Sequence, residues 1–254
     1  MNRDLAGYEE QYLKQPYEKY QVAFRKRKLL ELLQKYNHAI MLEVGCGLAS
    51  LFLDIDTYRQ LVVTEPSKIF YDKAVNDRKK QTGKDIVLLN AFLEDEKDRL
   101  KDYKFDFIIV SCLLHEIPDQ SKFLQVIHGI SNENTVIHFN VPNAKSFHRL
   151  LAVEMRLIKD EFQQSESNLL FQQKVIFDLS LLTETMHKNG FMVIESGSYS
   201  FKPFTHAQLQ KMIDGGVITE QMLDGFYNME KYLPGIGSEI FVNVRKVSDP
   251  VLNT

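Results

Sequence analysis

The sequence predicts an α/β protein built on a largely parallel, doubly wound sheet, and three observations carry that reading. Short apolar runs of a few residues, bounded by glycine or polar residues, recur along the chain, as expected of strands buried on both faces. Helical patterns lie between successive runs, which is the alternation of strand–helix–strand units. The first run ends in Glu43-Val44-Gly45-Cys46-Gly47. Such a tight bend lets backbone approach a ligand at the carboxyl end of a strand.

At 254 residues the chain can bury the core of one large domain, and residues 1–254 are read as a single unit. A formal net charge of −3 gives no general attraction to nucleic acid or anionic lipid, the local run Arg78-Lys79-Lys80 apart. No apolar stretch approaches the roughly 18–20 residues of a membrane span, and the start Met1-Asn2-Arg3-Asp4-Leu5 lacks the apolar centre of a signal peptide. Cys46 and Cys112 are too few for a disulfide framework or a zinc site. Both read as buried, reduced thiols, no metal is expected, and the expected location is cytoplasmic.

The first twenty residues carry Tyr8, Tyr12, Tyr17 and Tyr20, and a helix is expected from about Gln21 to Tyr36. Leu29, Leu32, Leu33 and Tyr36 share one face of it, while Arg25-Lys26-Arg27-Lys28 read as a solvated face. After the first strand, Ala39 to Val44, there is room only for a short helix around Leu48 to Leu53 before a second strand, Leu61 to Glu65. A helix from Ser67 to about Gln81, closed by Thr82-Gly83, leads to a third strand, Ile86 to Leu89, and the turn Asn90-Ala91-Phe92. The fourth strand lies within Phe105 to Cys112 and continues into Leu113-Leu114-His115-Glu116-Ile117-Pro118-Asp119. A helix near Gln120 to His128 precedes the fifth strand, Thr135 to Val141.

Residues 146–178 form an insertion. Its helix is apolar on nearly every side (Phe147, Leu150, Leu151, Met155, Leu157), so it is expected to be buried or to cover a ligand. The tract Gln163 to Asn168 reads as an exposed, mobile turn. A helix from Leu179 to Lys188 ends at Asn189-Gly190 and precedes a sixth strand, Phe191 to Glu195. The last strand is Glu239 to Val244. Between those two strands, helices after Thr205 (His206 to Asp214) and Thr219 (Glu220 to Leu233) occupy a second insertion, 203–234. It is expected to form part of a cap or a subunit contact, as in a homodimer. The chain thus divides into an N-terminal helical cap (1–38), a ligand-binding core (39–145), a lid (146–178) and a C-terminal part (179–254).

Glu43-x-Gly45-x-Gly47 resembles motif I of the class I S-adenosylmethionine-dependent methyltransferases, with Ala49 where many members have a third glycine. Phe105-Asp106, the strand after it and Leu114-His115-x-x-x-Asp119 resemble motif IV of the small-molecule members. Pro142-Asn143-Ala144-x-Ser146-x-His148-Arg149 is similar to a signature of one branch, associated with bacterial surface sugars and secondary metabolites. The resemblance implies a Rossmann-like, doubly wound, seven-stranded mixed sheet with an antiparallel last strand, plus helical insertions forming a cap. It also implies S-adenosyl-L-methionine as cofactor, S-adenosyl-L-homocysteine as product and a small-molecule acceptor. Around the cofactor it sets Glu43, Gly45, Cys46, Gly47 and Ser111. Asn90, Ala91 and Phe92 would border the adenine, and Arg25 would reach the cofactor's carboxylate. Acceptor contacts would come from Tyr12, Tyr20, Glu116 and Arg149. Base methylation is disfavoured, because Ser111-Cys112-Leu113-Leu114 stands where amine-directed enzymes have Asn-Pro-Pro-aromatic, and neither cysteine follows a proline. Neither a nucleic-acid nor a membrane partner is expected.

Glu65, at the tip of the second strand, can accept hydrogen bonds from two vicinal ribose hydroxyls. Dinucleotide enzymes use the same device, so a nicotinamide-dependent oxidoreductase remains an alternative, as does a non-catalytic methyltransferase-fold partner subunit. Against the first, the place of a third glycine holds Ser50, and Glu43 would repel a pyrophosphate. Methyl transfer is an in-line displacement that depends on positioning, and a hydroxyl acceptor must also lose a proton. Of seven histidines, His115 and His148 stand at crevice positions and are the candidate bases, each also readable as a structural residue.

Overall fold

A computed structural model of the chain describes residues 4–247. The single-unit reading of 1–254 extends past both ends of that range, and Met1-Asn2-Arg3 lie outside it. Seven strands form one sheet: β1 (Ile40–Val44), β2 (Gln60–Thr64), β3 (Asp85–Leu89), β4 (Phe107–Ser111), β5 (Val136–Pro142), β6 (Phe191–Tyr199) and β7 (Glu239–Lys246). Their order is β3-β2-β1-β4-β5-β7-β6. The first five pair in parallel, and β7 runs antiparallel to both β5 and β6. The chain therefore reverses its winding between β1 and β4, and a crevice opens at their carboxyl ends, where such sheets bind ligands.

The central position of β1 follows from its sequence. Met41 and Leu42 point to opposite faces and both are fully buried, so helices must cover either side. Asp106 locks the strand starts together: its carboxylate accepts the Ile40 N–H at 2.8 Å and the Asn37 side-chain amide at 2.8 Å. That is the local job of the Phe105-Asp106 pair.

Helices α1 (Leu5–Leu13) and α2 (Glu18–Leu33) precede the sheet, and α3 (Lys68–Arg78), α4 (Lys97–Leu100), α5 (Gln120–Ile130), α6 (Phe147–Glu154), α7 (Glu166–Leu170) and α8 (Leu179–Lys188) connect its strands. The starts of α3, α5 and α8 match side-chain capping: Ser67 accepts from Phe70 N, Asp119 from Lys122 N and Asp178 from Leu181 N. Helices α9 (His206–Asp214) and α10 (Glu220–Asn228) fill the insertion between β6 and β7. They pack against α2 through a core of Tyr17, Phe24, Leu209, Leu223 and Tyr227, with the Phe24 and Tyr227 rings 5.6 Å apart. The two cap segments, remote in sequence, are one layer.

Several expectations are corrected. The segment after the glycine bend is a single 3-10 turn, Leu51–Leu53, shorter than expected. The tract Gln163 to Asn168 is not a bare turn, because Ser165 and Asn168 form a reciprocal capping box that starts α7. Helix α6 buries no residue completely, and Met155 and Leu157 beyond it are exposed; its inner side faces the crevice rather than a core. Strand β6 extends to Tyr199, since β7 supplies a partner along its whole length. Among the described residues no helix is long and apolar enough to cross a membrane, and no group of side chains could hold a metal ion.

Candidate active site

A cavity of about 960 Å³ opens over the carboxyl ends of β1, β2, β4 and β5. On one side it is built by the glycine bend. Gly45 and Gly47 both have positive φ (76° and 53°), the left-handed region that a side chain would strain, and a Cβ on Gly47 would project into open space. The Gly45 N–H is held by the Thr64 carbonyl at 2.8 Å and the Gly47 N–H by Glu65 Oε2 at 2.9 Å. Glu65 Oε1 accepts the Ser67 N–H at 2.9 Å. One carboxylate thus ties the bend to the next loop and lines the cavity.

Glu43 is a different kind of acid. It is buried beneath the bend, accepting the Ser50 hydroxyl at 2.5 Å and the Leu51 N–H at 3.0 Å. Ser50, at the place of the absent third glycine, is what satisfies it. Burial pushes the Glu43 carboxyl up to about 7, against the lowering effect of the Ser50 and Leu51 bonds and of Lys26. Cys46 is buried beside it, and the carboxylates of Glu43 and Glu65 add to burial in pushing its thiol up.

Asn90 donates its amide to the backbone carbonyls of Glu65 and Pro66, at 2.8 and 3.2 Å. Neither Asn90 nor Ala91 lines the cavity; Phe92 does, together with Leu93, Glu94 and Asp95. The Asn90 side chain closes the turn after β2. Ser111 lines the wall, as does Cys112, which is half-buried and not fully buried as expected. Cys112 has a φ of 51° while its N–H is held by the Asn140 carbonyl at 2.9 Å, so β4 turns away from β5 in the left-handed conformation.

The opposite end of the cavity is polar. Arg25, expected on a solvated helix face, is inside: Nε donates to Glu239 Oε1 at 2.6 Å and Nη1 to Glu18 Oε1 at 2.6 Å. Glu239 Oε2 accepts the Asn140 amide at 2.8 Å and the Tyr199 hydroxyl at 2.6 Å. The bonds of Arg25 go to these two acids of the chain itself, not to a free carboxylate. Tyr12 lines the cavity with its hydroxyl pushed up by burial and Glu18, so it stays a donor. Tyr20 does not line it. It packs on Tyr17 with ring centroids 5.4 Å apart.

His115 and Glu116 are both buried, His115 Nε2 lying 3.6 Å from Glu116 Oε1. The His115 carbonyl accepts the N–H groups of Lys174 (2.8 Å) and Val175 (3.2 Å), which fastens the end of the lid. Arg149 donates to the carbonyls of Glu161 and Gln163 and so shapes the lid turn from within the wall. His148 also lines the cavity, and its Nδ1 is buried without a hydrogen-bond partner among the described residues. Burial first, then Lys202, His206 and Arg149, holds its imidazole well below the usual histidine range, so it is neutral at neutral pH.

Sequence reasoning missed Glu18, Lys202, His206 and Glu239. Glu18 and Glu239 lie more than 200 residues apart and meet only through Arg25, a contact no local pattern announces. Lys202 and His206 lie in the connection after β6, where an isolated lysine and a histidine at a helix start carry no sequence signal.

Residues 42–137 match the family model of a methyltransferase domain. No curated protein sequence matches the chain. Among solved structures it is similar to an S-adenosylmethionine-dependent methyltransferase of Thermotoga maritima described as a possible histamine N-methyltransferase, with 17% identity over 95% of this chain and 98% of that chain and a TM-score of 0.59. The cyclase SpnF shares 13% identity over 87% and 82% of the two chains, with a TM-score of 0.59. The cyclopropane synthase MmaA2 of Mycobacterium tuberculosis shares 15% over 87% and 83%, with a TM-score of 0.57. At these identities the likeness shows the fold alone. The matched segment, however, contains the glycine bend, both strand-tip acids and β4, set in a sheet of this order. Residues 42–137 thus match a methyltransferase domain, and the chain shares the fold of S-adenosylmethionine-dependent methyltransferases.

Proposed function

We propose that the chain transfers the methyl group of S-adenosylmethionine to a hydroxyl oxygen of a small polar acceptor, a sugar or secondary-metabolite intermediate, with His148 taking the proton. The residues present fit that cofactor. The glycine bend leaves open space at Gly47, Glu65 presents a carboxylate at the β2 tip, and Phe92 supplies an aromatic face in the same wall. When bound, the sulfonium supplies an electrophilic methyl carbon and leaves as a neutral thioether.

The chain's own residues would do the rest. Glu43 fixes the loop from Ser50 to Leu51 and so the shape of the bend. His115 and Arg149 hold the lid segment over the cavity through backbone carbonyls and N–H groups, which excludes water. The observation that carries the choice of base is the buried Nδ1 of His148, without a partner among the described residues, in the same cavity as the glycine bend. Its lone pair is free at neutral pH, and the acceptor proton becomes acidic as the oxygen–carbon bond forms, so a weak base suffices. His115 is assigned to positioning, because its backbone is engaged with the lid and its ring with Glu116. An amine acceptor is the second reading, supported by the Thermotoga relative's description; it needs no base once the nitrogen is uncharged.

The test is a panel of hydroxylated and amino acceptors scored by adenosylhomocysteine release. His148→Ala should lower turnover on the hydroxyl acceptor by about 10²- to 10⁴-fold while adenosylhomocysteine affinity stays constant. Unchanged turnover in that variant would remove the histidine base, and turnover of amines alone would replace the oxygen acceptor by nitrogen.

A further inference from the structure

The polar end of the cavity contains a group of basic side chains that the proposed reaction does not use. Lys202 is buried, with 8% of its surface exposed, and lines the cavity. Among the described residues its ammonium makes no hydrogen bond and no ion pair. The two acids nearest to serving it are committed: Glu239 accepts from Arg25, Asn140 and Tyr199, and Glu18 accepts from Arg25. A buried ammonium without a counter-ion is costly and is retained where a ligand supplies the missing charge.

Among the described residues, three further buried polar atoms lining the cavity have no hydrogen-bond partner: His206 Nε2, His148 Nδ1 and Ser146 Oγ. His206 opens α9, and its ring packs against Tyr17 with centroids 5.0 Å apart. Among the described residues, this end offers the Lys202 ammonium, a hydroxyl and two imidazoles, while Glu18 and Glu239 are already bonded to Arg25. We propose that this end is an anion subsite, in which Lys202, His206 and Ser146 bind a carboxylate or phosphate carried by the methyl acceptor. The inference rests on the methyl-transfer reading of the same cavity and narrows its substrate class to hydroxylated acids or phosphorylated hydroxy compounds.

The electrostatics agree. Burial, and then Arg25, pull the Lys202 ammonium down to about 8 against the opposing pull of Glu18 and Glu239, so it remains mostly charged at neutral pH. His206 is pulled to about 2 by burial, Lys202 and Arg25. An anion seated among them offsets the field of Lys202 on both imidazoles. His148 becomes a stronger base only when an acceptor of the right charge is present, which couples recognition to proton transfer.

The experiment uses the full-length protein saturated with adenosylhomocysteine and titrated at fixed ionic strength with inorganic phosphate and, separately, acetate. Heat of binding and the side-chain resonances of His148 and His206 are read together. The expected result is saturable binding with both resonances shifting, weakened about tenfold or more in Lys202→Met and several-fold in His206→Gln. Adenosylhomocysteine affinity should be the same in all three proteins. Should Lys202→Met fail to fold, His206→Gln and Ser146→Ala carry the comparison. No saturable response to either anion across the millimolar range, or equal responses in wild type and variants, overturns the subsite. Absence of adenosylhomocysteine binding in the wild type would instead overturn the methyl-transfer reading, so the two failures are distinguishable.

Discussion

Replacing Glu43 by glutamine removes a charge that the fold buries beneath the glycine bend. The Glu43 carboxyl is pushed to about 7, from 4.5 in an unconstrained chain. Between those values the folded protein holds a proton that the unfolded chain has released, so stability falls as pH rises through this window. At about 1.4 kcal/mol per unit, the full loss above pH 7 is about 3 kcal/mol, most of which accrues between pH 5 and pH 8. Glutamine can accept the Leu51 N–H through its oxygen and donate to the Ser50 hydroxyl, so both native bonds have a counterpart. The assay is thermal unfolding of wild type and Glu43→Gln from pH 5 to pH 8 at constant salt. The difference in Tm should grow in favour of the variant by roughly 5–10 °C, at about 2–4 °C per kcal/mol for a chain of this size. Taking the difference cancels every other titrating group. Parallel Tm profiles would refute the claim that Glu43 is charged at a cost beneath the bend.

Glu65→Ala removes the acceptor of the Gly47 and Ser67 N–H groups. Adenosylhomocysteine binding should weaken by about 1–3 kcal/mol, read by calorimetry, and an unchanged affinity would separate the β2 acid from the cofactor. Arg25→Met leaves Glu18 and the buried Glu239 without their shared cation. Denaturant unfolding should show a loss of about 3–5 kcal/mol, most of it recovered by the double variant Arg25→Met with Glu239→Gln; no recovery would mean that Arg25 acts through packing rather than charge.

Much of the fold was legible because local rules and the global pattern agree. The apolar runs around Met41, Val62 and Ile108 are buried on both faces and had to be central strands. Ser67, Asp119, Thr205 and Thr219 cap helices where side-chain oxygen chemistry places them. Gly45 and Gly47 announced positive φ, and Glu43 and Glu65 announced strand-tip acids. Asn90 carried two readings, because the same side chain that can meet a ligand's edge can close a turn, and composition does not say which. The place of Tyr20 was not legible, because an aromatic ring before the glycine motif fits a cap core as well as a cavity.

The sequence by itself therefore determined the order of strands and helices, the glycine bend and the side of the sheet where chemistry takes place. Each of these depends on periodicity and on conformational freedom within a few residues. Only the tertiary structure decided that Arg25 lies inside between Glu18 and Glu239, that Ser50 satisfies Glu43, and that Lys202, His206 and His148 share one wall. Those relations join residues from both ends of the chain, and their energies come from burial and charge at distances that no local pattern encodes.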